Sequence, residues 1–301
     1  MGRNLEPRMS IGIPVYNGEK YLSEAIESIL NQTYDDFELI ISDNASTDGT
    51  QEICEEYASH DNRIIYNRLQ KNLGAAKNYN VLLDYACGEY FKWAAHDDYL
   101  APEFLERCVE ALDSEESVVL AYPRTALVDH KEKIFGKYAD DLNLISPSPH
   151  RRFEKFLMNP GLCHAVFGLI RLSTLRNTEK IGNYPRSDRN LLGELSLHGK
   201  FHEISEYLFF RRIHPDVSSA PRVTEYELAV WYDPKKKGEL VFPRWRRLNE
   251  YVKAINRAPI RLQEKLICIF YLGRFIFLPE KLIGMLDDII TASKKKLSRS
   301  R

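Results

Sequence analysis

Two adjacent carboxylates, Asp97 and Asp98, are the residues of this 301-residue chain whose types and spacing point most directly to chemistry. They follow an apolar run, Tyr90 to Ala94, that is typical of a buried strand. Neighbouring acids repel each other and lose hydration, so a divalent cation would relieve a real cost. Oxygen ligands of this kind suit Mg²⁺ or Mn²⁺, usually shared with a substrate phosphate. The alternative is that one of the two acids caps the helix that begins near Pro102.

The elements that must position this acid pair alternate between strand and helix patterns. This alternation favours an α/β fold with a parallel sheet and helices on both faces. Ligands of such sheets bind at the carboxyl ends of the strands. The predicted strands are 9–15, 37–42, 63–66, 90–94 and 117–122, with a further strand at 163–171. The predicted helices include 22–30, 75–85 and 102–112.

The carboxyl ends of the predicted strands are polar and acidic. They carry Pro-Val-Tyr-Asn at 14–17, Asp-Asn-Ala-Ser at 43–46 and His-Asp-Asp at 96–98. No GxGxxG motif follows a strand and no GxxxxGK[ST] loop is present, so neither a dinucleotide site nor a P-loop is expected. An acidic nucleotide site that uses a metal fits these strand ends better.

Composition narrows the class of protein. The net charge of -1 gives no field that would attract nucleic acid. The five cysteines are scattered without a CxxC pair, which favours a reducing, cytoplasmic setting over a disulfide framework or a zinc site. The start of the chain lacks an apolar signal region. The most apolar stretch, 266–278, is interrupted by Arg274 and is shorter than the ~20 residues that span a membrane, so no transmembrane segment is expected.

The character of the sequence changes after about residue 220. Helical patterns at 223–232, 244–258, 260–278 and 280–297 are richer in basic residues. We therefore expect a nucleotide-binding catalytic domain at 1–220 and a helical subdomain at 221–301. The basic end could touch anionic lipid as a peripheral membrane contact, or it could be a solvated tail. Its basic residues are Lys294, Lys295, Lys296, Arg299 and Arg301.

The order of five motifs resembles the family 2 glycosyltransferases, which are inverting nucleotide-sugar transferases with a GT-A fold. The resemblance covers roughly residues 9–215 and fades over the C-terminal third. It implies a mostly parallel, Rossmann-like central sheet flanked by helices, with a C-terminal helical extension. The motifs are Ile-Pro-Val-Tyr-Asn at 13–17, Ser-Ile-Leu-Asn-Gln-Thr-Tyr at 28–34, Asp-Asn-Ala-Ser-Thr-Asp-Gly-Thr at 43–50, Asn-Leu-Gly at 72–74 and His-Asp-Asp at 96–98.

This resemblance implies which residues bind the donor. Asp43 would accept a hydrogen bond from the base, usually uracil, because a carboxylate at a strand end can read an imide N–H. The alternative for Asp43 is a cap of the turn that follows it. The residues implied around the nucleotide sugar are Pro14, Val15, Tyr16, Asn17, Asp43, Asn72, Asp97 and Arg211.

The metal ligands implied by the resemblance are Asp98 and His214, which would hold Mg²⁺ or Mn²⁺ on the diphosphate of the donor. The family often has a further acid where this chain has Ala95, so the metal would be held by fewer carboxylates. A neutral imidazole is a plausible extra ligand, although His214 could also be a surface histidine. Arg211 and Arg212 could instead neutralise the diphosphate.

The resemblance also implies Asp188 as the catalytic base that deprotonates the acceptor. The family more often has two acids here, and Ser187 replaces the first of them. A helix N-cap is the alternative for Asp188, and Glu194 is the fallback candidate for the base. His164 could line the acceptor pocket, or it could be a packed strand histidine.

The sequence therefore predicts a cytoplasmic, metal-dependent, inverting glycosyltransferase. Peripheral contact with the inner face of the membrane is compatible with this prediction. Its donor would be a nucleotide-diphosphate sugar, with UDP the usual nucleotide, and its acceptor hydroxyl would belong to a glycan or a lipid-linked glycan. The setting would be bacterial cell-surface polysaccharide or glycolipid synthesis. Two rivals stay open: a metal-dependent nucleotidyl- or phosphotransferase, which would not need Asp188, and a donor-binding protein without turnover. The prediction requires Asp43, Asp98 and Asp188 to share one opening.

Overall fold

The structure is a computed structural model that describes residues 7–214 and 224–299, with side chains described as far as residue 293. Within these residues nine strands form one sheet, and helices cover both of its faces. The strands are β1 Met9–Val15, β2 Phe37–Asp43, β3 Ile64–Arg68, β4 Tyr90–Trp93, β5 Tyr99–Leu100, β6 Val118–Val128, β7 Ile134–Tyr138, β8 Leu169–Arg171 and β9 Lys200–Arg212.

The helices follow the expected alternation in the first part of the chain and then become continuous. Two short 3₁₀ turns, His164–Phe167 and Pro234–Lys236, lie among them. The α-helices are α1 Leu22–Leu30, α2 Thr50–His60, α3 Ala75–Tyr85, α4 Phe104–Ser114, α5 Pro149–Met158, α6 Leu172–Arg176, α7 Ser187–His198, α8 Glu225–Tyr232, α9 Pro243–Arg257, α10 Leu262–Ile276 and α11 Pro279–Arg299.

The sheet is mixed but mostly parallel, as the sequence predicts. Its strand order is β3-β2-β1-β4-β8-β6-β9-β5, and β7 extends β6 as a hairpin. Strands β1 to β4 run parallel to one another, and β6 runs parallel to β9. Strand β8 is antiparallel to both of its neighbours, and β5 and β7 are antiparallel to their partners.

Burial on both faces explains why the central strands are parallel. Every residue of β1 and β2 is buried, which is typical of strands covered by helices on both sides. Alternate residues of β2 belong to different cores: Leu39 and Ile41 pack on one face, and Ile40 packs on the other. The first core includes helices α1 and α4, and the second includes α3, α5, α7, α9 and α10.

The register of the parallel strands brings their carboxyl ends to one edge of the sheet. Val15 at the end of β1 lies opposite Asp43 at the end of β2. On the other side of β1, Gly12 lies opposite Trp93, the last residue of β4. Because β4 leads directly to the 97–98 acid pair, that pair and Asp43 flank the end of β1.

Two sequence predictions about the middle of the chain are wrong. Strand β6 continues to Val128 instead of ending at 122 and turns into β7 near Lys131 and Glu132. The expected strand at 163–171 is a 3₁₀ turn followed by the three-residue β8 and the start of α6. The cause is Asp140, whose carboxylate accepts the Leu162 and Ala165 N–H groups at 3.0 and 2.8 Å and bends the segment away from extended geometry.

The C-terminal helices share the core of the sheet. Tyr251 and Ile255 of α9 and Leu272 of α10 pack in the same apolar cluster as Leu191 and Leu195 of α7. The predicted boundary at 220/221 lies outside the described residues and remains a prediction. In the described part of the chain, no helix combines the length and the apolar character needed to cross a membrane.

Candidate active site

Asp43 lies at the end of β2 with no exposed surface and organises the turn that follows. One carboxylate oxygen accepts the Ser46 N–H at 2.8 Å, so the capping contact weighed for this residue is present. The other oxygen accepts the Tyr66 hydroxyl at 3.0 Å and pairs with Arg68 at 3.1 Å. A nucleobase that bonded to Asp43 would have to share the Asp43 carboxylate with Arg68, whose side chain is 37% exposed.

Asn17 joins the end of β1 to the turn after β2. Its N–H donates to the Ser46 hydroxyl at 2.9 Å, and its side-chain oxygen accepts the Thr47 N–H at 2.9 Å. The residue has a φ of 53°, a left-handed conformation that asparagine tolerates better than most residues. The expected loop of Pro14, Val15 and Tyr16 is therefore fixed at its end, and the Tyr16 ring is 43% exposed at this edge.

Asn72 has a structural role that its motif alone does not reveal. Its side-chain oxygen accepts the Asn44 amide at 3.1 Å and the Gly74 N–H at 2.8 Å. In return the Asn44 side-chain oxygen accepts the Leu73 N–H at 2.8 Å. These bonds hold the loop before α3 against the turn after β2, on the same edge as Asp43.

Two buried residues that support these strand ends were missed by sequence reasoning. Asn78 of α3 accepts the Ser42 hydroxyl at 2.6 Å and donates to the Val15 and Ser42 carbonyls at 3.2 and 3.0 Å. Lys92 of β4 is fully buried and donates to the Phe167 carbonyl. Burial lowers the pKa of the Lys92 ammonium to about 7. A polar residue within an apolar pattern was the available signal in both cases.

The acid pair is enclosed by the end of β9. Asp98 is 8% exposed, and one of its oxygens accepts the Arg212 N–H at 2.8 Å. The Asp97 carboxylate lies 3.0 Å from His214 Nε2, and the Asp97 carbonyl accepts Arg212 Nε at 3.1 Å. The residues predicted from two distant motifs, 96–98 and 211–214, therefore meet.

The pKa values of Asp97 and Asp98 are shifted in opposite directions. Burial, and then the charge of Asp97, raise the pKa of Asp98 well above its usual range. Burial also opposes ionisation of Asp97, but the hydrogen bond with His214 and the nearby His96 outweigh it and lower the Asp97 pKa. A cation placed beside Asp98 would therefore stabilise the ionised form of the acid whose ionisation is the more unfavourable of the two.

The two arginines at the end of β9 are both engaged with protein groups. Arg212 is 2% exposed, pairs with Glu24 of α1 and stacks on Tyr21 at 4.7 Å, so it does not face a diphosphate. Arg211 donates to His164 Nε2 at 2.6 Å. Its predicted contact with the donor is untested by this geometry.

His164 is packed in the interior, but in a 3₁₀ turn and not in a strand. Arginine can only donate, so Nε2 accepts and Nδ1 carries the proton toward the Thr125 hydroxyl at 2.9 Å. Burial and the Arg211 charge lower the pKa of His164 to about 3, which keeps it neutral.

Asp188 lies in the first turn of α7. One of its carboxylate oxygens, Oδ1, is buried and has no hydrogen-bond partner among the described residues. The predicted N-cap alternative fails, since the cap position is Arg186 and, in the part of the chain described, α7 has no side-chain cap. Burial raises the pKa of Asp188 despite the neighbouring Arg189. The fallback Glu194 is 1% exposed and is bound by Arg257 through two contacts, at 2.7 and 3.0 Å.

A single phenol links Asp188 to the acid pair. Burial raises the pKa of Tyr79, and the charges of Asp97, Asp98 and Asp188 raise it further. The charges of all three carboxylates thus act on one side chain of α3, although the acids belong to two distant parts of the sequence. Whether Asp188 and Asp98 line one donor site stays a prediction.

The donor set fits a cation that is shared with a substrate. Residues 7–214 and 224–293 contain no group of three or more Asp, Glu, His or Cys side chains that could hold a metal ion. Asp98 and His214 provide one carboxylate and one imidazole. Mg²⁺ typically binds through one or two carboxylates and completes its shell with water and substrate phosphates. The residues present thus fit a phosphate-bridging ion and not an all-protein cage.

The chain belongs to a known family. Residues 10–174 match the family described as Glycosyl transferase family 2, and this match covers more than half of the 301 residues. The protein is therefore a family 2 glycosyltransferase, as the five motifs predict.

Curated relatives agree with this assignment. The putative glycosyltransferase EpsE of Bacillus subtilis is 41% identical over 113 residues, which are 36% of this chain and 40% of EpsE. The chain spans less than half the length of the curated relatives it matches, 40 to 49% in three cases.

The structural likeness confirms the GT-A fold. The S. aureus TarS fragment in complex with UDP superposes with a TM-score of 0.59 at 19% identity, covering 90% of this chain and 72% of that one. The mannosyltransferase PcManGT of Pyrobaculum calidifontis, in complex with GDP-Man and Mn²⁺, has a TM-score of 0.55 at 16% identity, with coverage of 99% and 89%.

Proposed function

We propose that this glycosyltransferase moves a sugar from a nucleoside-diphosphate donor to an acceptor hydroxyl with inversion at the anomeric carbon. One observation carries the proposal: Asp188 holds a buried oxygen without a partner in the described structure, and its charge acts on the same Tyr79 as the charges of the acid pair. This oxygen can take one proton, because no donor among the described residues already bonds to it.

The chemistry assigned to Asp188 is general base catalysis. The acceptor oxygen attacks the anomeric carbon from the face opposite the diphosphate, and the bond from that carbon to the diphosphate oxygen breaks. The acceptor proton passes to Asp188 as the bond forms, and the leaving diphosphate takes the electron pair. A raised pKa makes Asp188 a stronger base than an exposed aspartate.

Asp98 and His214 are the residues we assign to Mg²⁺ or Mn²⁺. The contact between His214 and Asp97 would fix the orientation of the imidazole. When bound, the ion supplies positive charge to the leaving diphosphate. Ala95 leaves this chain with few carboxylates, so we expect the ion to depend on the donor phosphates for tight binding.

We assign the nucleotide to the end of β1 and β2, near Tyr16, Asn17 and Asp43. UDP is the proposed nucleotide, since a carboxylate can accept the N–H of uracil. The proposed setting is cytoplasmic synthesis of a cell-surface polysaccharide or glycolipid. In the described part of the chain no disulfide joins Cys54, Cys87, Cys108, Cys163 or Cys268, which suits a reducing compartment.

The test compares Asp188→Asn with Asp84→Asn, an exposed aspartate of α3. Purified protein is assayed with UDP-, GDP- and dTDP-sugars, Mn²⁺ and a panel of glycan acceptors. We expect Asp188→Asn to lower kcat by about 10²- to 10⁴-fold, the usual contribution of a general base. Donor affinity, measured by calorimetry, should stay unchanged, and the control should match the wild type.

Each rival predicts a different result. Unchanged transfer by Asp188→Asn would remove the base from the mechanism and favour a nucleotidyl- or phosphotransferase. Donor binding by the wild type without any transfer would favour a donor-binding protein. Full activity in excess chelator would contradict the metal assigned to Asp98.

A further inference from the structure

Helix α10 turns an apolar face away from the rest of the protein. Leu262, Leu266 and Phe270 are 71, 62 and 62% exposed and lie one turn apart along the same side. Phe277, just after the helix, is 76% exposed. The opposite side is buried against α5 and α9 through Cys268 and Leu272. The exposed side of this helix is therefore as apolar as the buried one.

Helix α11 repeats this arrangement. Ile283, Leu286 and Ile290 are 67, 59 and 52% exposed along one side of the helix. Its other side is firmly docked on α9: Asp288 accepts the Arg244 N–H at 2.8 Å, and the Met285 carbonyl accepts Trp245 Nε1 at 3.1 Å. The apolar side of α11 is thus held outward by specific bonds to α9.

Two adjacent helices with apolar outer faces form a surface that soluble monomers rarely expose. The link between them, Phe277 and Leu278, is only two residues long, so the two apolar faces follow each other closely along the chain. We call the exposed apolar residues of α10 and α11 the hairpin face. It comprises Leu262, Leu266, Ile267, Ile269, Phe270, Phe277, Leu282, Ile283, Leu286, Ile289 and Ile290.

The charge of this part of the chain differs from that of the rest. Residues 261–301 contain nine of the 42 Lys and Arg residues but only four of the 43 Asp and Glu residues, a net charge of +5. The remaining residues, 1–260, therefore carry a net charge of -6. Residues 261–293 are balanced, with four basic and four acidic residues, so the whole excess comes from the five basic residues of 294–301, which directly follow the apolar part of α11 in the sequence.

We propose that the hairpin face binds the surface of an anionic lipid bilayer. Helices of this kind lie in the plane of the interface, with the apolar side among the acyl chains and the basic residues at the headgroups. Arg274 and Lys281 pair with Glu154 and Glu280 at 3.8 Å, so the positive charge that would meet headgroup phosphates comes mainly from the basic residues of 294–301. The net charge of +5 would be attracted to such a surface and the net charge of -6 repelled from it, which orients the protein.

A second copy of the chain is a poorer occupant on the same grounds. Packing two hairpin faces together would bring two segments of net charge +5 into contact. The proposal goes beyond sugar transfer and does not depend on it, because lipid binding can be measured without donor, metal or turnover.

The experiment is vesicle flotation with the full chain. One set of vesicles contains phosphatidylcholine only, and the other contains phosphatidylcholine and phosphatidylglycerol at about two to one. We expect the wild type to float with the anionic vesicles, and less with the neutral ones. The double variant Phe270→Ser/Ile283→Ser should bind at least about tenfold more weakly, because it removes one large apolar group from each helix.

The matched control is Phe135→Ser, which removes an aromatic side chain that is 58% exposed on β7. This variant should bind vesicles like the wild type. All variants should keep the wild-type melting temperature, because each altered side chain is already exposed. Equal vesicle binding by the double variant, or no binding by the wild type, would overturn the proposal. A dimer that forms without vesicles and is lost in the double variant would also overturn it and assign the face to a second copy.

Discussion

At the scale of the residue, the carboxylates of the site differ in their partners far more than in their sequence context. Asp43 is satisfied by a backbone N–H, a phenol and a guanidinium. Asp98 accepts one backbone N–H, and Asp188 leaves a buried oxygen without a described partner. Sequence motifs predicted these residue types and positions. The motifs could not predict that Arg68 and Tyr66 contact Asp43, because those contacts depend on the pairing of β2 with β3.

The buried oxygen of Asp188 that lacks a described partner should cost the protein stability when the carboxylate is ionised. Its pKa is raised by burial, so the folded state holds the Asp188 proton at a higher pH than the unfolded state does. The wild type therefore gains stability from this group as the pH falls toward the folded pKa and loses it as the pH rises through that value. Asp188→Asn should raise the melting temperature at neutral pH, and the gain should shrink in acid.

Differential scanning fluorimetry between about pH 4 and pH 8 checks this prediction. Asp84→Asn, at an exposed position, should leave the melting temperature unchanged throughout. A lower melting temperature for Asp188→Asn at every pH would contradict this prediction, because it would mean that contacts of the ionised carboxylate stabilise the folded protein.

At the scale of the element, local periodicity predicted the strands and helices up to α4 well. Buried strands such as β1 and amphipathic helices such as α1 carry their pattern within a few residues. The segment 163–171 failed because Asp140, more than twenty residues earlier, fixes its backbone. Position on a helix also decided between Asp188 and Glu194: both belong to α7, but Glu194 faces α9 and Arg257.

The ion pair between Arg257 and Glu194 should hold α9 on α7. Arg257→Ala would leave Glu194 charged and buried, and we expect a loss of about 2–3 kcal/mol in the free energy of unfolding. The loss should be smaller than for a fully buried pair because the Arg257 side chain is 34% exposed. Urea denaturation measures it. The double variant Arg257→Ala/Glu194→Gln should recover part of the loss, and no recovery would show that Arg257 acts through packing alone.

At the scale of the whole molecule, the order of five motifs was enough to predict the family and the GT-A fold. The motifs are short, but they follow the strand ends in the order in which the sheet assembles them. The C-terminal helices were also predicted from their periodicity. Their packing was not, because a 3.6-residue period shows that one side is apolar and does not show what covers it. The outward-facing apolar sides of α10 and α11 are the clearest example.

The central claim is that Asp43, the acid pair and Asp188 serve one donor site at the carboxyl ends of the strands. A different cavity, of about 410 Å³, lies at the amino ends of β6 and β9 beside Ser117, Arg152 and Lys200. The two locations are at opposite edges of the sheet, so they can be distinguished without ambiguity.

A crystal structure of the protein soaked with UDP and Mn²⁺ tests this claim most directly. We predict uracil at the ends of β1 and β2 near Tyr16 and Asp43, with the diphosphate and Mn²⁺ at Asp98 and His214 and with Asp188 at the same opening. UDP bound beside Arg152, or a diphosphate without any contact to Asp98, would contradict it.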